Sequence, residues 1–212
     1  TQVMSTGIDV YIDGNFEKVF FPNRKGLLHA ELSLPKTGLH EVEIFFPLYE
    51  EVIDYRIQVR NSDLVQAIKR RTAELMVYYG SSITQGCCAS NPSMSFPAIV
   101  YRKTKIPFIN LGLSGNGLGD LEIAEYITSL RPSIVVLDYW ANPDSSSYLE
   151  TLPIFVDKLR ELLPNTYIFV NSTFYNPGHE VEQRKKDAVS RLVVKSLQDR
   201  GDKKIFFVDE LL

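Results

Sequence analysis

The sequence predicts a three-layer α/β/α domain with a parallel sheet over residues 74–212, preceded by a small all-β, sandwich-like domain over 1–66 and a connector over 67–73. Three observations carry this prediction. Apolar and polar positions alternate in short stretches before residue 60. From residue 74 the pattern changes to unbroken apolar runs rich in β-branched and aromatic residues. Those runs then alternate with longer stretches of helical period. Alternation suits an antiparallel sheet with one wet face, whereas unbroken apolar strands suit a parallel sheet covered on both faces.

In the N-terminal region the alternating stretches are 8–12, 28–34, 41–45 and 55–59, punctuated by Asp13-Gly14, Pro22-Asn23, Gly38 and Pro47. Short alternating strands between turn formers read as antiparallel β structure. A region of this size makes a marginal sandwich alone, so it is expected to pack against the α/β domain or to have lost strands upstream.

In the second region the expected strands are 75–79, 106–110, 134–137, 167–170 and 205–208. Between them, 118–130, 148–163 and 180–200 place apolar residues three and four apart, as a helix with one buried face requires. Alternating strands and helices imply right-handed crossovers and a parallel sheet. Ligands of such sheets lie beyond the carboxyl ends of the strands, so each motif is judged by its distance from one of those ends.

Composition narrows the partners. The 26 acidic and 23 basic side chains, net charge −3, are spread along the whole chain and supply no basic footprint for nucleic acid. The basic cluster Lys69-Arg70-Arg71 reads as a solvated connector. No apolar run approaches the roughly 18 to 20 residues of a membrane-spanning helix, and the N-terminus lacks the order of a signal peptide. Residue 1 is Thr, which is compatible with a secreted or periplasmic protein whose signal has been removed, and the compartment stays open. Cys87 and Cys88 are adjacent, a spacing that suits neither a disulfide nor a metal site. No metal or other cofactor is expected.

Three motifs fall at strand ends. Gly80-Ser81-Ser82-Ile83-Thr84-Gln85-Gly86 follows the first parallel strand and puts Ser82 in the turn, where an oxygen nucleophile is exposed on a rigid support. The same residues also suit a helix cap. Asn110-Leu111-Gly112-Leu113-Ser114-Gly115-Asn116-Gly117 follows the second strand and can bring bare backbone amides up to a ligand. Its glycine spacing departs from a dinucleotide fingerprint. Asp138-Tyr139-Trp140-Ala141-Asn142-Pro143 follows the third strand and ends in an amide that could donate to an oxyanion, although Asn-Pro is also an ordinary turn former. Nucleophile, bare amides and side-chain donor are the parts that acyl transfer requires.

These blocks resemble those of the SGNH, or GDSL, hydrolases: Gly-Asp-Ser, Asn-x-Gly-x-x-Gly, Gly-x-Asn-Asp and Asp-x-x-His. Gly80-Ser81-Ser82-Ile83-Thr84 is similar to the first, with Ser81 in place of the usual Asp; Asn110 to Gly115 fits the second at each defining position; Trp140-Ala141-Asn142-Pro143 keeps only the Asn of the third. The resemblance implies Ser82 as nucleophile, with the Gly115 amide and the Asn142 side chain in the oxyanion hole. Gly7-Ile8-Asp9-Val10-Tyr11 also resembles the Gly-x-Asp-Leu-Tyr motif of the β domain that precedes one branch of these esterases. That branch includes bacterial esterases that deacylate carbohydrates or natural products, and the resemblance alone suggests that substrate class.

The fourth block has no counterpart. A serine hydroxyl needs a base within hydrogen-bond reach, and the chain has three histidines. His29 and His40 precede the nucleophile, against the family order, and His29 reads as a surface or packing residue. His179 follows the fourth strand in Tyr175-Asn176-Pro177-Gly178-His179-Glu180, on the correct edge of the sheet but without an Asp three residues before it; it reads as a solvent-facing turn residue, with use as the base the lesser alternative. Asp209 follows the last strand with no histidine after it. The expectation is that a further segment carries the Asp and His. The function expected is a serine esterase acting on a small-molecule or carbohydrate ester; the alternative is an SGNH-like module without chemistry that binds a glycan or a partner. Trp140 and nearby tyrosines fit an aromatic wall or core packing equally.

Overall fold

The computed structural model describes residues 7–34, 38–60, 63–68 and 73–209. Lys69-Arg70-Arg71 lies outside the described residues. In chain order the elements are β1 (Ile8–Ile12), β2 (Asn15–Phe20), β3 (Val42–Phe45), β4 (Met76–Gly80), α1 (Ser82–Gln85), α2 (Phe96–Thr104), β5 (Phe108–Gly112), α3 (Leu121–Ser129), β6 (Ile134–Asp138), α4 (Ser145–Leu162), β7 (Tyr167–Asn171), α5 (Glu180–Asp199) and β8 (Ile205–Val208), with a 3₁₀ turn at Pro92–Met94. They fall into two compact units, Thr1–Arg71 with Gly86–Lys105 and Thr72–Gln85 with Ile106–Leu212.

The first unit holds a three-stranded antiparallel sheet in the order β2-β1-β3. Asp13 and Gly14, at φ 52° and 78°, turn β1 directly into β2, the left-handed pair that a two-residue hairpin needs. The unit is not an all-β sandwich. Residues 28–34 and 55–59 form no strand and are largely exposed, because alternation without a partner strand and a buried face does not hold an extended segment in place. The second layer comes instead from 86–105. Asp9 is wholly buried, and its Oδ2 accepts from Asn91 Nδ2 and from Ser93 N–H, both at 2.7 Å. Tyr11 shares a hydrogen bond with Ser93 Oγ at 3.0 Å, and the Arg102 guanidinium lies 5.0 Å over the Tyr11 ring. The polar residues of the Gly7–Tyr11 stretch thus bind the 91–93 turn.

The second unit is a five-stranded parallel sheet in the order β5-β4-β6-β7-β8, flanked by helices. Val77, Tyr79, Val135, Leu137, Ile168, Val170 and Ile205 share one apolar cluster with Ala124 and Ile127 of α3, Leu152, Phe155 and Leu159 of α4, and Val193 and Leu197 of α5. β5 starts later than its apolar run because Pro107 offers no N–H to the ladder; its carbonyl accepts from Met76 N–H at 2.9 Å instead. α4 starts at Ser145, ahead of its apolar pattern, because the Asp144 carboxylate accepts from Ser147 N–H at 2.8 Å and caps it. β4 is the first strand of the sheet in sequence, with β5 on one side and β6 on the other, so the winding reverses there and the ends of these three strands border the crevice where such sheets bind ligands.

Candidate active site

The crevice is built first on β4. Ser81, buried, accepts from Ile83 N–H at 3.2 Å and so caps α1, which makes Ser82 the first helical residue, half-buried at the strand end. The capping role that the motif also suits therefore falls to Ser81, at the position where the related block carries Asp. Aspartate and serine are equally good acceptors there. Gly80 admits no side chain: a Cβ would stand 1.8 Å from Thr84 Oγ1 and 2.9 Å from Asp138 O. The space is taken by Thr84 itself, which folds back to donate to Asp138 Oδ2 at 2.7 Å.

The second strand end is tied to α1 by Asn110. Its Nδ2 donates to Thr84 O at 2.8 Å while its Oδ1 accepts from Gly112 N–H at 2.9 Å. Leu113 N–H donates to Gly80 O at 2.9 Å and Ser114 N–H to Gln85 Oε1 at 3.2 Å. Gly115 forms the exposed tip of this loop, at φ +78°, and no atom lies within 4 Å of where its side chain would be. Gly117 is the opposite case. A Cβ there would come within 2.6 Å of Gly80 O and 3.2 Å of Asn142 Oδ1.

Asn142 completes the convergence. Gly117 N–H donates to Asn142 Oδ1 at 3.0 Å, which fixes the amide orientation, since the NH₂ end cannot face another N–H, and leaves Nδ2 as the donor end. Ser82, Gly115 and Asn142 thus stand on the ends of adjacent strands, and the loops that bear them meet through Gly80 and Gly117.

Beneath these loops lies a buried carboxylate that carries no role in the sequence motifs. Asp138, 1% exposed, accepts from Thr84 Oγ1, from Trp140 Nε1 at 3.1 Å and from Asn171 Nδ2 at 3.3 Å. Burial pushes its carboxyl up to about 6, against the lowering effect of those three donors. Trp140 is buried, bonded to Asp138 and packed edge-on against Phe174, with ring centroids 5.6 Å apart. It belongs to the core, which decides between the two readings of this residue. Lys186 of α5 donates to Trp140 O at 2.9 Å and Pro143 O at 2.6 Å. Its burial pulls the ammonium below the usual lysine range, opposed by the carboxylates of Glu182 and Asp144.

The histidines separate by unit. His29, exposed, and His40, whose Nδ1 lies 2.7 Å from Asp13 Oδ2, belong to the first unit. His179 precedes α5, is exposed, and its ring makes no hydrogen bond among the described residues. Cys87 and Cys88 are free thiols, with their sulfurs 3.3 Å apart. Among the described residues no group of three or more His, Cys, Asp or Glu could hold a metal ion, and no helix is long and apolar enough to cross a membrane.

The model of the GDSL-like lipase/acylhydrolase family matches residues 73–211. The chain belongs to this family. Its fold is similar to that of a protein described as a GDSL-like lipase from Bacteroides ovatus, with 31% identity and a TM-score of 0.83 over 99% of this chain and 65% of the other. A family two carbohydrate esterase from Clostridium thermocellum, solved with cellohexaose, shares the fold at 19% identity and a TM-score of 0.70, over 97% of this chain and 76% of the other. A salicylyl-acyltransferase from a tetracycline biosynthetic pathway does so at 18% identity and a TM-score of 0.68, over 99% of this chain and 62% of the other. The chain therefore spans 65% and 62% of the length of the lipase and the acyltransferase. No match was found among curated proteins. For this GDSL-like chain the residues to which sequence reasoning gives no individual role are Thr84, Gly117, Asp138 and Lys186. Thr84, Gly117 and Asp138 lie inside the three motifs, whereas Lys186 carries no signal in the sequence.

Proposed function

We propose that this protein is a serine esterase in which Ser82 Oγ attacks the carbonyl carbon of an ester. The carbonyl electrons move to oxygen, and that oxyanion accepts hydrogen bonds from the N–H groups of Ser82 and Gly115 and from Asn142 Nδ2. Its collapse breaks the ester C–O bond, releases the alcohol and leaves the acyl group on Ser82; water then hydrolyses the acyl-enzyme. Each oxyanion donor contributes on the order of 100-fold to 1000-fold in turnover. A base must accept the Ser82 proton and return it to the leaving alcohol. None of His29, His40 and His179 is assigned as that base.

The observation that supports the reading is the convergence of three strand ends: Gly117 packs against Gly80 O while its N–H holds Asn142 Oδ1, which ties the turn that bears Ser82, the loop that bears Gly115 and the Asn142 side chain together. Acyl groups on carbohydrate are the proposed substrate class, supported by the fold shared with a carbohydrate esterase that was solved with cellohexaose. In the full natural chain, Ser82→Ala is expected to lower hydrolysis of p-nitrophenyl acetate by on the order of 1000-fold or more. Activity retained by that variant would overturn the proposal.

A further inference from the structure

The geometry points to Lys186 as the positioning residue of the oxyanion hole, acting through Asn142; this rests on the role proposed above for Asn142. Lys186 is 9% exposed and sends its Nζ to two backbone carbonyls, Trp140 O and Pro143 O, which flank Ala141-Asn142. A buried ammonium is expensive unless its donors are used. Here they are used on the backbone of one short loop rather than on a carboxylate.

The neighbouring residues on the same helix face act in the same way on the next loop. Gln183 donates to Phe174 O and accepts from Asn176 N–H at 3.2 Å, and Asp187 accepts from Thr173 N–H at 2.7 Å. The first turns of α5 thus spend their polar side chains on loop backbone, and among these three only Lys186 grips residues 140–143. Among the described residues the other hydrogen bonds of Asn142 are its own N–H to Tyr139 O at 3.2 Å and the Gly117 N–H on its side chain. Pro143 has no N–H to add another. Lys186 closes the far side of the loop, and with it the direction in which Asn142 Nδ2 points.

Misplacing a catalytic group by about 1 Å costs on the order of 100-fold. In the full natural chain, Lys186→Met is therefore expected to lower kcat for p-nitrophenyl acetate about 10- to 100-fold while KM stays within about threefold. The decisive measurement is a double-mutant cycle. In an Asn142→Ala background, where the positioned group is gone, Lys186→Met should cost less than about twofold more. Equal costs in both backgrounds, or no loss from Lys186→Met alone, overturn the proposal while leaving the Ser82 and Asn142 assignments intact. If Asn142→Ala is itself silent, the oxyanion reading falls and the proposal falls with it. Should Lys186→Met fail to give a cooperative melt, Lys186→Gln keeps a neutral donor for one carbonyl. The same cycle run with Gln should show an intermediate loss that vanishes beside Asn142→Ala, and an additive loss overturns the proposal equally.

Discussion

Gly117 illustrates how a residue without a side chain sets the geometry of three loops. Its N–H orients Asn142, and the room its Cβ would need is already filled by Gly80 O at 2.6 Å and Asn142 Oδ1 at 3.2 Å. Gly117→Ala must push the 113–117 loop off the β4 end, so esterase turnover is expected to fall at least about tenfold, with melting lowered as well. Turnover equal to the parent would mean that the loop is not held where the proposed oxyanion hole needs it. That Ser82, Gly115 and Asn142 follow strand ends is legible in the sequence, because each comes after an apolar run that ends in turn formers; their proposed roles rest on the family resemblance. The parts played by Thr84 and Lys186 are not legible, since each acquires its meaning from a partner far along the chain: Thr84 and Asp138 are 54 residues apart, Lys186 and Trp140 46. Periodicity carries no information about such pairs.

At the scale of elements the unbroken apolar strands were the most legible, and the five observed strands of the parallel sheet overlap the five expected stretches. β2 is hard to read because its apolar residues, Phe16, Val19 and Phe20, do not alternate regularly with polar ones; the Asp13-Gly14 turn marks its start. α2 was hidden by Pro97, which sits harmlessly in the first helical turn, where its missing N–H would have had no partner. Between helices and sheet, one residue ties several termini together. Arg160 of α4 donates to Asp202 at 2.7 Å, to Leu163 O and Thr166 O at 2.9 and 2.8 Å, and to Lys204 O at 3.2 Å, joining the end of α4 to the turns before β7 and β8. Arg160→Met removes the one side chain that these acceptors share, although Leu163 O keeps Thr166 N–H, Lys204 O keeps Ile168 N–H and Asp202 keeps Lys204 N–H. A loss of about 3 kcal/mol in urea-unfolding free energy is expected, and a loss below about 1 kcal/mol would show that water replaces the guanidinium without penalty.

For the molecule as a whole, the buried Asp138 predicts an unusual response to pH. Its folded carboxyl sits at about 6, above the ordinary 3.8, so the folded state holds the proton more tightly than the unfolded chain. Stability from this group is therefore fully present below about pH 4 and is lost as pH rises through about 6. Asp144 and Glu182, both lowered to about 2, act in the opposite sense, and their contribution is lost only as pH drops below about 4. Between pH 4 and 6 the contribution of Asp138 is thus separable. The difference in unfolding free energy between the parent and Asp138→Asn should shift towards the parent as pH is lowered across that window, and a pH-independent difference would show that Asp138 does not titrate there.

The seam at Gly80 and Gly117 also sets where such a protein can diversify. Two backbones in contact leave no side chain to vary, so a mutational library aimed at a new acyl or sugar preference would return only inactive variants from these positions. Useful variation must enter through side chains that project from the same loop as Gly117 into solvent, Ser114 and Asn116. The frame and the adjustable surface are thus encoded in neighbouring residues of one short segment, and an engineer can change the second without touching the first.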